Sequence, residues 1–169
     1  MSNTSVVPIH IGIIMDGNRR WAREHGLSTA EGHKQGYLTL KAIAKAGLRR
    51  GIKYLTAYAF SSENWQRDKT EVQDIVKLLT WALRHEVKEL HKEGIRLRII
   101  GSKVKFGAAT VRAMLRAEEL TKNNTRATLL LCLDYGGQQE IVAAVKRIAE
   151  AGIVPEDITP ELIDRKSVV

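Results

Sequence analysis

The sequence predicts an α/β fold in which an open parallel β-sheet is flanked by α-helices. Short apolar runs rich in β-branched residues alternate with longer segments of helical periodicity along the chain. Strands that are separated by helices pair in parallel through right-handed crossovers, which defines this architecture. The chain has 169 residues, of which 44% are hydrophobic. This is enough for one core, so we expect a single domain over residues 1–169.

Each element is predicted from its periodicity and its end signals. The expected strands are residues 6–15, 52–60, 96–100 and 128–134. The expected helices are residues 18–25, residues 29–50, a long helix from a capping box at 70–73 to Gly94, Ala108–Thr121 and residues 138–150. Gly26 and Gly51 are expected to stop the first two helices, because glycine adopts the left-handed conformation that ends helices.

The charge balance favours an anionic partner. Lysine and arginine outnumber the acidic residues 27 to 19, which gives a net charge of +8. Nucleic acid, an anionic lipid surface and a phosphate ester all fit this charge. The start lacks a signal peptide and no apolar run approaches the ~20 residues that span a bilayer. We therefore expect a soluble, cytoplasmic protein, either free or peripheral at the membrane.

A carboxylate and two arginines follow the first predicted strand. Asp16 and Gly17 end this strand, and Asn18, Arg19 and Arg20 begin the next helix. Backbone N–H groups at a helix start and paired guanidinium groups suit a diphosphate, which Mg²⁺ would join to the Asp16 carboxylate. Taken alone, the same residues also fit an N-cap followed by solvated arginines.

A second polar segment follows the second predicted strand. It consists of Ser61, Ser62, Glu63, Asn64, Trp65, Gln66 and Arg67. The carboxyl ends of neighbouring parallel strands open at the same edge of a sheet, which is where ligands bind in such folds. We therefore expect this segment to lie beside Asp16, and the two loops together favour a binding site over a plain helix entry.

Several long motifs occur in a fixed order along the chain. They are HIGIIMDGNRRWA at residues 10–22, Gly32-His33, YAFSSENW at residues 58–65 with Arg67, RLRIIG at residues 96–101 and Tyr135-Gly136-Gly137. Together they resemble the cis-prenyltransferases of the undecaprenyl diphosphate synthase type, also called isoprenyl transferases. The resemblance implies an undecaprenyl diphosphate synthase-like fold and a Mg²⁺-dependent transferase. Such an enzyme condenses isopentenyl diphosphate with an allylic diphosphate, such as farnesyl diphosphate, to a polyprenyl diphosphate precursor of a lipid carrier.

The resemblance also assigns roles to individual residues. Catalytic roles fall to Asp16, which would hold the metal, and to Asn64. A neutral amide is a poor proton acceptor, so we expect Asn64 to position a water, a hydroxyl or the departing diphosphate. The implied substrate-binding residues are Gly17, Asn18, Arg19, Arg20, Trp21, His33, Ser61, Ser62, Glu63, Trp65 and Arg67.

Apolar residues recur at helical spacing in the long predicted helix. They are Leu78, Leu79, Trp81 and Leu83, and this spacing is typical of residues that face a core. By resemblance to the family, the same helix would line a tunnel for the growing hydrocarbon chain.

The C-terminal end of the sequence limits the expected activity. Thr159 and Pro160 are typical of a helix start, yet the chain stops at Val169, so we expect the final β-α-β unit to be truncated. Family members continue into a segment whose two arginines and serine bind isopentenyl diphosphate and whose glutamate completes the metal site and the dimer contact. We therefore expect the given chain to bind an allylic diphosphate weakly if at all and not to turn over. The complete protein would be a homodimer that delivers its product to the membrane.

Two alternatives stay open at this point. A non-catalytic partner subunit of a prenyltransferase would share the fold, although motifs of the Asp16 and Asn64 type are usually degraded in such subunits. A basic nucleic-acid-binding domain would explain the charge of +8, but aromatic residues make up only 5% of the chain and no basic recognition helix is apparent. We therefore expect no nucleic acid as a partner.

Overall fold

The sheet is parallel and open, as the sequence predicts. The computed structural model describes residues 7–166, with residues 165 and 166 described by their backbone alone. The described strands are β1 (His10–Ile14), β2 (Tyr54–Ser61), β3 (Ile95–Ile100) and β4 (Ala127–Tyr135), in the spatial order β1-β2-β4-β3 with every neighbouring pair parallel. The expected first strand begins at Val6, which lies outside the described residues.

Helices connect the strands and cover the sheet. They are α1 (Asn18–Glu24), α2 (Thr29–Arg49), α3 (Lys69–His85), α4 (Val87–Lys92), α5 (Ala108–Thr121), α6 (Gly137–Glu150) and α7 (Pro160–Lys166), with short 3₁₀ helices at Ser62–Gln66 and Pro155–Asp157. Gly26 and Gly51 follow α1 and α2 with φ angles of 66° and 88°. The two predicted glycine stops are therefore confirmed.

The long helix differs from its prediction at both its start and its middle. Asp68 caps its first turn by accepting hydrogen bonds from the N–H groups of Thr70 at 2.8 Å and Glu71 at 3.3 Å, so the predicted capping box at residues 70–73 is wrong. The helix is also not continuous, because α3 ends at His85 and α4 begins at Val87. The break lets α4 bury Val87 in the core and contact β3.

The core lies between the sheet and helices α3 and α5. Phe60, Met114 and Leu133 are at most 1% exposed, and burial of each such side chain stabilises the fold by roughly 1.5–3 kcal/mol. Leu83 is buried as predicted, but Trp81 is 45% exposed, so its assignment to the core is wrong. Its ring stacks on His85 at a centroid distance of 5.2 Å at the protein surface.

Helix α1 packs closely on α2 because two residues of α2 are glycines. A Cβ atom at Gly32 would lie 2.4 Å from the backbone oxygen of Asn18 and 2.8 Å from Cβ of Ala22. A Cβ atom at Gly36 would lie 2.5 Å from Nδ2 of Asn18. Only glycine therefore permits this separation, which fixes α1 and its arginines relative to α2.

Candidate active site

The two polar loops of the sequence lie at the same edge of the sheet, as expected. Strands β1 and β2 are adjacent and parallel, and the N–H group of Met15 donates to the backbone oxygen of Tyr58 at 3.2 Å, one residue before Asp16. The 3₁₀ helix Ser62–Gln66 continues directly from the carboxyl end of β2. The chain therefore brings both segments to the region where ligands bind in parallel sheets.

A polar cavity of about 690 Å³ opens at this edge. Its ionisable lining includes Asp16, Arg19, Arg20, Arg23 and Arg67. The remaining lining residues are Met15, Gly17, Asn18, Leu27, Ser28, Thr29 and His33. Four guanidinium groups face a single carboxylate, so the cavity is suited to an anion with several oxygen atoms, such as a phosphate ester.

Asp16 supplies the carboxylate of this cavity. Its Oδ1 accepts a hydrogen bond from the N–H group of Gly17 at 2.6 Å, and Gly17 adopts a φ of 87° that favours glycine. Within residues 7–166, no three His, Cys, Asp or Glu side chains group into a metal site. Mg²⁺ is usually held by one or two carboxylates together with phosphate oxygens and waters. The single carboxylate thus fits a magnesium ion shared with a bound phosphate group.

Glu71 contacts basic residues from three elements next to the polar cavity. Its Oε1 accepts a hydrogen bond from Nη1 of Arg67 at 2.8 Å and lies 3.1 Å from Nε2 of His33. Its Oε2 lies 3.7 Å from Nη1 of Arg19. Sequence reasoning missed Glu71 as a site residue, and the only local signal was its spacing of four residues from Arg67.

His33 is held mainly neutral by its surroundings. Burial lowers the pKa of His33 below its ordinary value, the Glu71 carboxylate opposes this effect, and the charges of Arg67 and Arg19 lower the pKa further. Because a carboxylate only accepts hydrogen bonds, Nε2 of His33 donates to Glu71 and carries the proton of the neutral ring. His33 lies on α2 directly after Gly32, so the close packing of α1 on α2 sets its place beside the arginines.

The side chain of Asn64 makes a hydrogen bond within the second polar loop. Its Oδ1 accepts a hydrogen bond from the N–H group of Ser61 at 3.0 Å. The hydroxyl of Ser62 is buried, and Glu63 is exposed, with a pKa lowered by its hydrogen bond to Ser61. Asn64 lines the apolar cavity described below, whereas Ser61, Ser62 and Glu63 line neither cavity.

The two tryptophans predicted to contact substrate, Trp21 and Trp65, line neither the polar cavity nor the apolar cavity described below. Nε1 of Trp65 donates to Oδ1 of Asp134 at 2.8 Å, and its ring packs against Phe60 and Phe106 at centroid distances of 5.0 Å. Trp21 stacks on His25 at 4.3 Å. Trp65 thus anchors the second loop to the core and to the end of β4, which is a supporting contact that its motif does not reveal.

A second cavity, of about 210 Å³, lies between α2, α3 and the sheet. Its middle part is lined by apolar side chains, among them Leu40, Ala44, Leu78, Leu79, Ala82 and Leu83. At the far end, Lys41 pairs with Glu86 and Glu89, and Lys45 lies 2.6 Å from Glu89. The two lysines lower the pKa of Glu89 to about 2. This cavity is suited to a hydrocarbon chain rather than to a polar ligand.

The two cavities adjoin. Met15, Asn18, His33 and Arg67 line both of them. A ligand with an anionic head and an apolar tail can therefore occupy the two cavities at once, with its head beside the arginines and its tail between α2 and α3.

The fold and these cavities define an α/β protein with an arginine-lined cavity at the carboxyl edge of its sheet. The chain matches the family model described as "Putative undecaprenyl diphosphate synthase" over residues 14–168. The match covers nearly the whole chain, and the protein therefore belongs to the undecaprenyl diphosphate synthase family. The resemblance inferred from the sequence motifs is confirmed.

Individual relatives agree with this assignment. The isoprenyl transferase of Clostridium perfringens is 46% identical over 144 residues, which cover 85% of this chain and 57% of that protein. The ditrans,polycis-undecaprenyl-diphosphate synthase ((2E,6E)-farnesyl-diphosphate specific) of Haemophilus ducreyi is 43% identical over 165 residues, which cover 95% of this chain and 68% of that protein. This chain therefore spans between somewhat more than half and about two thirds of the length of these curated relatives.

A solved structure supports the fold. The crystal structure of lavandulyl diphosphate synthase from Lavandula x intermedia, in complex with dimethylallyl diphosphate, matches with a TM-score of 0.91 at 35% identity. The match covers 95% of this chain and 71% of that chain. None of the helices in the described part of the chain is long and apolar enough to cross a membrane.

Proposed function

We propose that this chain provides the allylic diphosphate site of a cis-prenyltransferase. The reaction would condense isopentenyl diphosphate with an allylic diphosphate such as farnesyl diphosphate and yield a polyprenyl diphosphate. One observation carries the proposal: a cationic cavity adjoins an apolar cavity, and His33 and Arg67 line both. An allylic diphosphate has a matching anionic head and apolar tail, and membership of the family supports the same substrate class.

The arginines of the polar cavity would stabilise the leaving group. In the reaction, the C1–O bond of the allylic diphosphate breaks and its electron pair leaves with the diphosphate. The π electrons of isopentenyl diphosphate form the new C–C bond. The departed diphosphate or a water then takes a proton from the carbon next to the resulting cation, and the electrons of that C–H bond form the new double bond. Arg19 and Arg20 approach from α1 and Arg67 from the second loop, so positive charge from two elements would face the oxygen on which negative charge develops.

Mg²⁺ would be held by Asp16 together with diphosphate oxygens, and when bound it would neutralise part of the leaving group's charge. Asp16 itself contributes an oriented carboxylate, since Oδ1 is fixed by the N–H group of Gly17 at 2.6 Å. The arginines could not take this role, because they carry no lone pair for a metal.

Asn64 would act through its amide NH₂ group. Its Oδ1 already accepts the hydrogen bond from Ser61, and the NH₂ group donates hydrogen bonds but does not remove protons. We therefore assign to Asn64 the orientation of the departing diphosphate or of a water at the rim of the apolar cavity, which it lines.

The partners and the location of the complete protein are part of the same proposal. We propose a cytoplasmic homodimer that takes isopentenyl diphosphate as its second substrate and passes its lipid product to the membrane. No observation within residues 7–166 favours a nucleic-acid partner over a diphosphate, because four arginines line one cavity at the sheet edge.

An NMR titration of the chain with farnesyl diphosphate tests this proposal. We expect weak binding that Mg²⁺ strengthens, with shifts at residues of both cavities. Asp16→Ala should remove the effect of Mg²⁺, a loss on the order of a hundredfold in the presence of the metal, because a bound metal ion contributes several kcal/mol. Competing RNA oligonucleotides and inorganic phosphate serve as controls. Binding that is independent of Mg²⁺, or equal in Asp16→Ala, would refute the proposed metal role.

A further inference from the structure

Glu71 is a partly buried carboxylate that lies behind the cationic cavity rather than in it. Its side chain is 12% exposed, and it lines neither the polar nor the apolar cavity. Its two partners at hydrogen-bond distance, Arg67 at 2.8 Å and His33 at 3.1 Å, are both among the residues that line the two cavities together. The carboxylate therefore contacts the residues that face the ligand and does not itself face it.

We infer that Glu71 is a positioning residue that fixes His33 and Arg67 at the junction of the two cavities before a ligand arrives. The inference rests on the proposed function, in which the bond between diphosphate and hydrocarbon breaks at this junction. Three elements converge here, since Glu71 belongs to α3, His33 to α2 and Arg67 to the loop after the 3₁₀ helix. An arginine held in its binding conformation loses less entropy on binding than a mobile one.

The charge of Glu71 makes this assignment testable. A carboxylate next to an anion site repels the ligand, so a purely electrostatic effect would make any neutral replacement bind diphosphate more tightly. A positioning effect acts in the opposite direction, because Arg67 and His33 lose the acceptor that orients them. Glutamine keeps an oxygen acceptor at the place of Oε1 without the charge, whereas alanine removes both, so the two substitutions separate the two effects.

The tested substitutions are therefore Glu71→Gln and Glu71→Ala. We expect Glu71→Gln to bind farnesyl diphosphate with Mg²⁺ within about threefold of the wild type and Glu71→Ala to bind about tenfold more weakly, because ordering mobile side chains on binding reduces affinity. Glu118→Gln is the matched control: Glu118 is also a partly buried helical carboxylate, with Oε1 accepting from the N–H group of Ile99 at 2.9 Å, and it lies outside both cavities.

A second readout does not depend on ligand binding. In the ligand-free protein, NMR relaxation of the Arg67 Nε–H group should report greater mobility in Glu71→Ala than in the wild type or in Glu71→Gln. Both variants should also lower the pKa of His33, because the carboxylate that favours the imidazolium is gone while Arg19 and Arg67 remain. The His33 ring signal among the five histidines is assigned with a His33→Gln sample.

The outcomes distinguish this inference from the proposed function. If the wild type shows no Mg²⁺-dependent binding of farnesyl diphosphate, the proposed function fails, whatever the mobility of Arg67. If the wild type binds and both variants bind equally or more tightly, or if Arg67 is no more mobile in Glu71→Ala, the positioning role is wrong. A lower melting temperature of Glu71→Ala with unchanged affinity and mobility would also overturn it, as the mark of a purely structural role.

Discussion

The two adjoining cavities are built by different means. The polar cavity is formed largely by short segments at strand ends, and its charged groups converge through helix α1 and the loop after β2. The apolar cavity is formed by the long helices α2 and α3, whose apolar faces leave a gap of about 210 Å³ above the sheet. The polar and apolar linings therefore come from different elements, and Met15, Asn18, His33 and Arg67 are the residues that line both cavities. Under the proposed function, recognition of the head and recognition of the tail should be separable.

The charged contacts at the two ends of α2 differ in the exposure of their side chains. Glu71 of α3 lies near the first turns of α2 and is 12% exposed, and its partner His33 is 13% exposed. Glu89 lies beside the later turns of α2, is 41% exposed, and pairs with the half-buried Lys41 and the exposed Lys45. Exposed pairs contribute little to stability, typically 0–1 kcal/mol. We therefore expect substitutions at the Glu71 end to act on ligand binding and substitutions at the Glu89 end to have small effects on stability.

Gly32→Ala should disturb the polar cavity more than the apolar one. The new Cβ would lie 2.4 Å from the backbone oxygen of Asn18, so α1 must move away from α2. Overpacking costs about 1–3 kcal/mol, which exceeds the gain of up to about 1 kcal/mol in helix propensity. We expect a lower free energy of unfolding in urea and at least about tenfold weaker binding of inorganic pyrophosphate, since small displacements of binding groups are costly.

The control for this substitution is Gly12→Ala in β1. A Cβ atom there meets no atom within 4 Å, so stability and pyrophosphate binding should stay close to those of the wild type. Equal behaviour of the two variants would show that the contact between α1 and α2 does not shape the anion site.

Ala82→Trp should block the apolar cavity and leave the polar cavity intact. Ala82 lines the middle of the apolar cavity, and an indole at this position would fill much of its 210 Å³. We expect the affinity for farnesyl diphosphate to fall about tenfold, because the apolar tail loses most of its burial. The affinity for inorganic pyrophosphate should not change. Ala149→Trp, at an exposed position of α6, controls for the added tryptophan, and parallel losses for both ligands would refute the separation of head and tail.

The protonation of His33 should make a smaller contribution, which appears as a pH dependence of stability. Burial holds the folded-state pKa of His33 below its ordinary value of 6.5. The unfolded chain therefore binds more protons as the pH falls through about 6.5 towards the folded-state pKa, and the free energy of unfolding decreases over that interval. His33→Gln should remove this part of the dependence, because glutamine does not titrate. Urea unfolding at about pH 7.5 and about pH 5.5 measures the difference in the free energy of unfolding between the two pH values. The same difference in the wild type and in His33→Gln would contradict the lowered pKa of His33.

The motifs at strand ends were predictable from the sequence because their chemistry is local. Asp16, Asn18 and Arg19 follow one strand and Arg67 follows the next, and the rules of parallel sheets place adjacent strand ends together. The parallel pairing of the strands and the stops at Gly26 and Gly51 followed from periodicity and backbone preference in the same way, whereas the spatial order of the strands was not predicted.

The parts that sequence reasoning missed depend on contacts between distant residues. No local signal marks Glu86 as the break between α3 and α4, because the break reflects the burial of Val87. In the sequence, Glu71 is an ordinary residue of a first helical turn. Its contact with His33, which lies 38 positions away in the chain, exists only in the folded protein. Periodicity did not reveal the apolar cavity either, because a helix face that lines a cavity has the same periodicity as one that lines a core. Only the resemblance to the family implied a tunnel along this helix.

The close contact between α1 and the glycines of α2 couples the local unfolding of the two helices. Helix α1 has only seven residues, and a helix of this length has almost no stability of its own in water. Its helical conformation depends on packing against Gly32 and Gly36. Any fluctuation that unfolds the first turns of α2 therefore also unfolds α1. The arginine-bearing segment and its support therefore form one cooperative unit, whose amide protons should exchange with solvent together.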